Sequence, residues 1–123
     1  MKYFNHLNKE INEADYLKFR DDFISKLQKV VDENTRNLSW ICELSINKGR
    51  RYDKVVKEDK GTHSSKRVWG FIDKTNGNIL KAESWKKPST KNARGNIYED
   101  DCMLFCGPYG PAYMDTIKDY YGA

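Results

Sequence analysis

Residues 66–97 read KRVWGFIDKTNGNILKAESWKKPSTKNARGNI, and this stretch decides the fold. Its first half places β-favouring residues, mainly valine, isoleucine and aromatic residues, in 66–73 and again in 78–84. Between these segments lies a turn in which Gly77 can adopt the positive φ that hairpins require, and Asn76 tolerates that conformation. The stretch therefore begins with a predicted β-hairpin.

The second half of the stretch is a basic loop. Trp85 is followed by two lysines, Lys86 and Lys87, and then by Pro88, which cannot donate a hydrogen bond to a continuing ladder. Further on, Arg94 precedes a glycine, which places another cation beside a flexible backbone. We therefore expect the chain to leave the sheet here and to present positive charge beside a large aromatic ring.

The positive charge of the chain is concentrated around this loop. Residues 61–95 contain eight Lys or Arg and two acidic residues, which gives a net charge of +6. Residues 1–60 are close to balance at +2, and residues 96–123 are acidic at −4. A positive excess in one segment favours a partner that carries phosphate groups.

A long amphipathic helix is predicted before the hairpin. Asn12 is a good N-cap, and apolar residues recur at helical spacing from there to residue 34. The simplest interpretation is a core helix that lies on a sheet, and the alternative is a helix that dimerises. We expect residues 1–11 to form a short helical turn or to pack against the rest of the chain.

Four strands are predicted, arranged as two tandem hairpins. They cover residues 38–46, 50–58, 66–73 and 78–84, and a loop and tail fill 85–123. In the first strand, apolar residues alternate with polar ones, with Ile41 the exception, which is typical of a half-buried strand. The apolar set is Trp40, Cys42, Leu44 and Ile46. The predicted fold class is α+β: an N-terminal amphipathic helix on one face of a four-stranded antiparallel meander, with an irregular C-terminal tail, in a single domain of residues 1–123. The other face is left to solvent, to a partner subunit or to a ligand.

The composition is that of a folded, water-soluble chain. Of its 123 residues, 38% are hydrophobic and 33% are charged. No apolar run approaches the length of a membrane span, and the start of the chain lacks the apolar stretch of a signal peptide. We therefore expect an intracellular protein with no membrane partner.

The chain offers little for metal or cofactor chemistry. Cys42, Cys102 and Cys106 are odd in number and are expected to be free thiols. Cys102 and Cys106 are four residues apart, but His6 and His63 stand alone, so a zinc site lacks its usual four ligands. The acidic run in the tail is more simply a solvated segment than a metal site, because consecutive carboxylates do not converge on one ion. No metal and no cofactor are predicted.

The same stretch also resembles a known family. The pattern F-I-D-x-x-x-G-x-I-L-K-A-x-S-W-K-x-P, followed by A-R-G-N-I, is similar to that of a family of small, largely uncharacterised proteins encoded by phages and larger viruses. The matching residues are Phe71, Ile72, Asp73, Gly77, Ile79, Leu80, Lys81, Ala82, Ser84, Trp85, Lys86, Pro88, Ala93, Arg94, Gly95, Asn96 and Ile97. The resemblance covers roughly residues 50–114. It implies a viral origin, and hence a location in the host cytoplasm, but it implies no activity.

We expect non-enzymatic binding of a phosphate-rich ligand, most simply single-stranded nucleic acid. Such strands bind where cations follow the backbone and aromatic rings stack on bases. Arg50 and Arg51 add charge from the neighbouring hairpin. The structural alternatives are that Trp69 lies in the core and that Arg94 pairs with carboxylates of the tail. The candidate ligand-binding residues are Trp69, Trp85, Lys86, Lys87, Lys91, Arg94, Asn96 and Tyr109.

Two other functions are open at this point. The first is an anti-defence protein that sequesters a nucleotide in a compact pocket of Trp85, Arg94, Asn96 and Tyr109. The second is a virion or assembly component, and a homo-oligomer is compatible with both. An enzyme is not expected, because neither a Ser-His-Asp nor a Cys-His arrangement has local support in the sequence.

Overall fold

The structure is a computed structural model that describes residues 1–38, 41–61 and 65–122. Within these ranges the chain has an α+β fold with one long helix and a five-stranded antiparallel sheet. The helices and strands are β1 (Tyr3–Phe4), β2 (Glu10–Ile11), α1 (Glu13–Thr35), β3 (Ile41–Asn47), β4 (Tyr52–Lys60), β5 (Ser65–Asp73), β6 (Asn78–Leu80), β7 (Gly95–Asn96), β8 (Cys106–Gly107), β9 (Gly110–Pro111) and α2 (Met114–Tyr120). Trp40 and His63 lie outside the described residues.

The long helix α1 begins where the sequence predicts. Asn12 caps it, with Oδ1 accepting a hydrogen bond of 2.8 Å from the backbone N–H of Asp15. It is not the first element of the chain, however, because β1 and β2 form a short antiparallel ladder before it. The prediction of a helical turn in residues 1–11 is therefore wrong, but these residues do pack against the helix. Tyr3 stacks on Tyr16 of the helix with ring centroids 5.2 Å apart.

The large sheet has the strand order β3-β4-β5-β6-β7 with antiparallel neighbours throughout. The first four of these strands correspond to the predicted ones, although β6 ends at Leu80, four residues before its predicted end. The prediction of four strands is wrong because β7 adds a fifth, which pairs with Asn78 and Ile79 of β6. The sequence does not signal β7, since it is two residues long and lies among loop-forming residues.

The helix covers one face of this sheet and forms the main core with it. Phe23 and Leu27 of α1 pack with Leu44, Val55 and Ile72 of the sheet, and all five are buried. Each such side chain contributes about 1.5–3 kcal/mol when it is fully buried. The outer side of α1 is mostly polar, although Phe19 is 41% exposed. No helix in the described ranges combines the length and the apolar content that a membrane crossing requires.

The opposite face of the sheet is partly covered by the chain itself. The strand register puts Val56, Phe71 and Leu80 on this face, yet they are only 2%, 3% and 4% exposed. Part of the loop after β6 lies over this face, where Trp85 contacts Lys54. The loop doubles back through a bridge between Ala82 and the buried Pro88. The expectation that this face is left to solvent or to a partner is therefore wrong for this part of the sheet.

A side chain of the helix occupies the outer edge of β3. Gln28 Nε2 donates a hydrogen bond of 2.9 Å to the carbonyl of Cys42, and Gln28 Oε1 accepts one of 2.9 Å from the backbone N–H of Leu44. A further antiparallel strand would bond to these same two backbone groups. The amide of Gln28 therefore takes the place of a neighbouring strand at this edge.

Candidate functional site

A basic cleft lies between the β3–β4 turn and the loop that follows β6. Its volume is about 400 Å³. Five of the nine residues that line it are Lys or Arg, and none of these nine described residues is acidic. The lining residues are Asn47, Lys48, Gly49, Arg50, Arg51, Tyr52, Lys54, Phe71 and Lys86. We refer to this surface as the basic cleft.

The β3–β4 turn, which forms one wall of the basic cleft, is held in place by Lys74. The Nζ of Lys74 donates a hydrogen bond of 2.6 Å to the carbonyl of Gly49, and its backbone N–H donates one of 2.9 Å to the carbonyl of Arg51. Gly49 has no room for a side chain, because a Cβ atom there would collide with the carbonyl oxygen of Tyr52. Contacts within the chain thus hold the backbone of this wall.

Lys74 is itself oriented by a buried carboxylate. Asp53 is fully buried, and its Oδ2 accepts hydrogen bonds of 2.7 Å from the hydroxyl of Tyr16 and 3.1 Å from Nη1 of Arg20. Its Oδ1 lies 3.6 Å from Lys74 Nζ. Burial and the charge of Asp53 raise the pKa of Tyr16, so the phenol stays protonated and donates. This cluster connects α1 to the wall of the cleft.

Aromatic rings lie beside the cations of the basic cleft. Lys54 Nζ is 4.2 Å from the ring centroid of Trp85, so a cation–π contact covers one face of this tryptophan. Trp85 is 42% exposed, which leaves the rest of its ring open to solvent. Tyr52 is half-buried and packs edge to face on Phe71, with ring centroids 6.5 Å apart. The site therefore offers both positive charge and a ring surface.

Four cations of the basic cleft, Lys48, Arg50, Lys54 and Lys86, have no carboxylate within 4.0 Å among the described residues. Lys54 is already in a cation–π contact, and we call the other three the cleft cations. Arg51 differs, because its Nη2 lies 3.1 Å from Asp73 Oδ2. This hydrogen bond and the charge of Asp73 raise the pKa of Arg51. The cleft cations are therefore available to an anionic ligand.

Comparison with known families matches residues 2–106 to DUF7717, a family of unknown function. The chain belongs to this family. The DUF7717 match includes α1 and every residue that lines the basic cleft, and it ends at the first residue of β8. No curated protein matches the chain, and no solved structure matches it.

One predicted ligand-binding residue of this DUF7717 protein, Trp69, is part of the core. It is 2% exposed, and its ring packs edge to face on Phe23 with centroids 6.0 Å apart. Its Nε1 donates a hydrogen bond of 2.8 Å to the carbonyl of Gly107. Because the ring is buried and its polar atom is already bonded, Trp69 cannot stack on a ligand in this structure, and its assignment to the binding surface is corrected.

Arg94 and Asn96 are likewise structural. Arg94 is 7% exposed, and its Nε donates a hydrogen bond of 2.9 Å to the carbonyl of Ala112, so its partners are backbone carbonyls and not the expected carboxylates. Asn96 is 5% exposed and donates hydrogen bonds of 2.8 Å and 3.0 Å to Asn76 and Asn78. Their polar groups tie segments of the chain together and are not free for a ligand.

The other predicted residues are divided between surfaces. Lys86 lines the basic cleft, and Trp85 lies beside it. Lys87 and Lys91 are exposed on the same loop but do not line the cleft. Tyr109 lies at the β8–β9 turn and not in the cleft, so the structure does not bring it together with Trp85 there.

Sequence reasoning did not select Lys48, Tyr52 and Lys54 as site residues. The run Lys-Gly-Arg-Arg at residues 48–51 was a visible signal, because a turn that carries three cations projects them from one end of a hairpin. Lys54 gives no such signal. The alternation of β4 determines which of its lysines lie on the cleft side of the sheet.

The three cysteines are free, and two of their thiols donate hydrogen bonds within the fold. The thiol of Cys42 donates a hydrogen bond of 2.8 Å to Asp59, and that of Cys106 donates one of 3.3 Å to the carbonyl of Cys102. Burial raises the pKa of Cys106 to about 12, so this thiol is protonated at neutral pH. In the described ranges, no group of three or more His, Cys, Asp or Glu is placed to hold a metal ion.

Proposed function

We propose that this protein binds single-stranded nucleic acid in the basic cleft. One observation carries the proposal. Five cations line a cleft of about 400 Å³ beside an exposed tryptophan, and no acidic residue is among the nine described residues that line it. A surface of this kind suits a ligand that combines a phosphodiester backbone with unpaired bases.

In this proposal the phosphates contact the cleft cations, and a base stacks on Trp85. Lys54 already covers one face of that ring, so the tryptophan has a single face for one base. Stacking of this kind contributes about 1–3 kcal/mol per base, and it requires a base that is not paired in a duplex. The phosphate contacts contribute affinity that falls as the salt concentration rises.

We propose a binding role without catalysis, in a virus or phage protein that acts inside the host cell. The lining residues supply cations, rings and amide groups, and none of those described is a histidine, a cysteine or a carboxylate that would serve as a base or nucleophile. The viral origin and the host location rest on the resemblance of residues 50–114 to the phage and viral family.

The proposal is tested by the fluorescence anisotropy of a labelled single-stranded oligonucleotide at about 50 mM and about 200 mM salt. We expect the double variant Arg50→Ala, Lys86→Ala to bind less tightly than the wild type and with a shallower salt dependence. The slope should fall by about 0.7 for each phosphate contact that is lost. The matched control is Lys87→Ala, Lys91→Ala, which removes two exposed cations outside the cleft.

Absence of binding at the lower salt concentration rejects the proposal. An equal loss of affinity in the cleft variant and in the control also rejects it, because net charge would then explain the binding without a cleft.

A second candidate is a binder of single nucleotides, which the volume of the cleft favours. At about 400 Å³ the cleft falls within the range of small-molecule sites, about 300–1,000 Å³. Competition distinguishes the two candidates. A mononucleotide that displaces the oligonucleotide at equal nucleotide concentration supports the pocket, whereas a strand that binds far more tightly than its monomer supports the single-stranded ligand.

A further inference from the structure

The hairpin formed by β8 and β9 is held by an unusual set of side chains. Four side-chain donors from the sheet and from the loop after β6 reach four of its backbone carbonyls at 2.8–3.1 Å. The pairs are Trp69 with Gly107, Lys57 with Pro108, Lys81 with Pro111 and Arg94 with Ala112. We call residues 106–113 the tyrosine hairpin. Side chains from β4, β5 and the loop after β6 thus hold its backbone in place.

This fixed backbone presents two tyrosines to solvent. Tyr109 is 72% exposed and Tyr113 is 69% exposed. Each ring has an ammonium group against one face: Lys57 Nζ lies 4.8 Å from the centroid of Tyr109, and Lys81 Nζ lies 3.9 Å from that of Tyr113. The hydroxyl of Tyr109 also accepts a hydrogen bond of 3.3 Å from Nδ2 of Asn34. Both rings are thus held on one side, and most of their surface is exposed.

The cations behind the hairpin have no carboxylate partner among the described residues. We call Lys57, Lys81 and Arg94 the hairpin cations. They donate hydrogen bonds to carbonyl oxygens, and none of them has a carboxylate within 4.0 Å among the described residues. Burial lowers the pKa of Lys81 and of Arg94, and the charge of Arg94 lowers that of Lys81 further. The surface thus combines exposed rings with uncompensated positive charge beneath them.

We propose that the tyrosine hairpin is a second stacking surface for the same single strand that binds in the basic cleft. This inference rests on the proposed function. The hairpin cations are capped by carbonyls and rings, so they attract an anion through space but do not form direct ion pairs with it. Ring faces in a positive field suit nucleobases on a phosphate backbone, whereas an acidic peptide would need cations that it can contact.

The positions of the two surfaces require a strand of some length. Lys54, which lines the basic cleft, and Lys57, which is one of the hairpin cations, are three residues apart on β4. Their separation along the strand is about 10 Å. The register places them on opposite faces of the sheet, however. A strand must pass around the sheet to reach both surfaces, so a short oligonucleotide occupies the basic cleft alone.

The experiment compares oligonucleotides of about 4 and about 16 nucleotides, which bracket the usual site sizes of single-strand binding proteins. We expect the variant Tyr109→Ala, Tyr113→Ala to bind the long strand at least about tenfold more weakly than the wild type, since stacking contributes about 1–3 kcal/mol per base. It should bind the short strand with unchanged affinity. The Tyr109→Phe, Tyr113→Phe variant should keep the affinity for the long strand, because it keeps the rings.

The matched control is Tyr120→Ala, Tyr121→Ala, which removes two tyrosines of similar exposure, 61% and 68%. Urea unfolding of each variant establishes that the fold is intact. Wild-type affinity of the Tyr109, Tyr113 variant for the long strand overturns the second surface and leaves the cleft in place. An equal loss at both lengths, or an equal loss in the control, also overturns it. If the wild type binds neither strand, the proposed function itself fails.

Discussion

The cleft cations and the hairpin cations carry the same charge but differ in what surrounds them. The cleft cations are exposed, and their ammonium and guanidinium groups have no carboxylate partner among the described residues. The hairpin cations are buried or half-buried, and each donates to a backbone carbonyl. The difference lies in what surrounds the charge. Where water surrounds a cation it can bind a ligand, and where backbone oxygens surround it the cation becomes part of the framework.

The largest effect is expected from two tryptophans, one in the core and one beside the basic cleft. Trp69→Ala should lower the free energy of unfolding by about 3–5 kcal/mol, because it empties a core position beside Phe23 and leaves the carbonyl of Gly107 without its donor. Trp85→Ala should lower it by less than about 1 kcal/mol, since it removes one exposed cation–π contact with Lys54. Urea denaturation measures both values.

For oligonucleotide binding, in contrast, we expect the larger effect from the substitution of Trp85. Trp85→Ala should weaken binding of the oligonucleotide, and a Trp69→Phe variant, which keeps an apolar ring in the core, should not. A loss of binding in Trp69→Phe with Trp85→Ala unaffected would show that the division between framework and ligand-binding residues is drawn in the wrong place.

A smaller effect is expected from a pair of arginines. Arg94→Ala should cost about 2–4 kcal/mol of folding stability, because it removes charged hydrogen bonds of a buried guanidinium group to the carbonyls of Asn92 and Ala112. Arg50→Ala is the control, and its stability should stay within about 0.5 kcal/mol of the wild type because the side chain is exposed. Chemical denaturation at neutral pH measures the difference, and equal stabilities of the two variants would contradict the assignment of Arg94 to the framework.

The smallest effect is expected at Asp59, the carboxylate partner of the exposed Arg67. Asp59 accepts hydrogen bonds from Cys42 and from Arg67, and these contacts lower the pKa of Asp59 below its ordinary value of 3.8. The ionised form is therefore favoured in the folded state. Its stabilising effect is present above the ordinary pKa and is lost as the pH falls through the lowered value. Asp59→Asn should cost about 1 kcal/mol at pH 7.

We expect that difference between Asp59→Asn and the wild type to shrink as the pH is lowered to about 3 or below, in urea unfolding curves measured at each pH. Glu99→Gln is the control, since Glu99 is exposed and has no cation within 4.0 Å among the described residues. A difference that stays constant with pH would mean that the carboxylate's charge does not contribute to stability.

The parts of the fold that the sequence predicts are those that local signals determine. The apolar period of α1 and its cap at Asn12 define the helix, and the turn at Gly77 defines the central hairpin. In contrast, β7 exists only because Gly95 meets Ile79, a contact between distant parts of the chain. The loop that covers the second face of the sheet is of the same kind, because its polar and basic composition gives no sign of what it packs against.

The sequence predicted a basic surface but not the segments that form it, because four of the five cations of the basic cleft lie in residues 48–54, outside the basic segment 61–95. The basic excess of residues 61–95 pointed to a phosphate-bearing partner, yet the excess is divided between cations that face solvent and cations that bond to carbonyls. Which residues belong to which group depends on folding, since the cleft is assembled from the β3–β4 turn, from Phe71 of β5 and from Lys86 of the loop. Charge counts along the chain do not contain that information.

The amide of Gln28, which bonds to the outer edge of β3, bears on how the protein behaves at high concentration. Unprotected strand edges are templates on which copies of a chain polymerise. Here a peptide or a second copy has to displace Gln28 from the backbone of Cys42 and Leu44 before it can extend the sheet. One uncharged side chain thus discourages fibre formation at this edge without adding an acidic group to it.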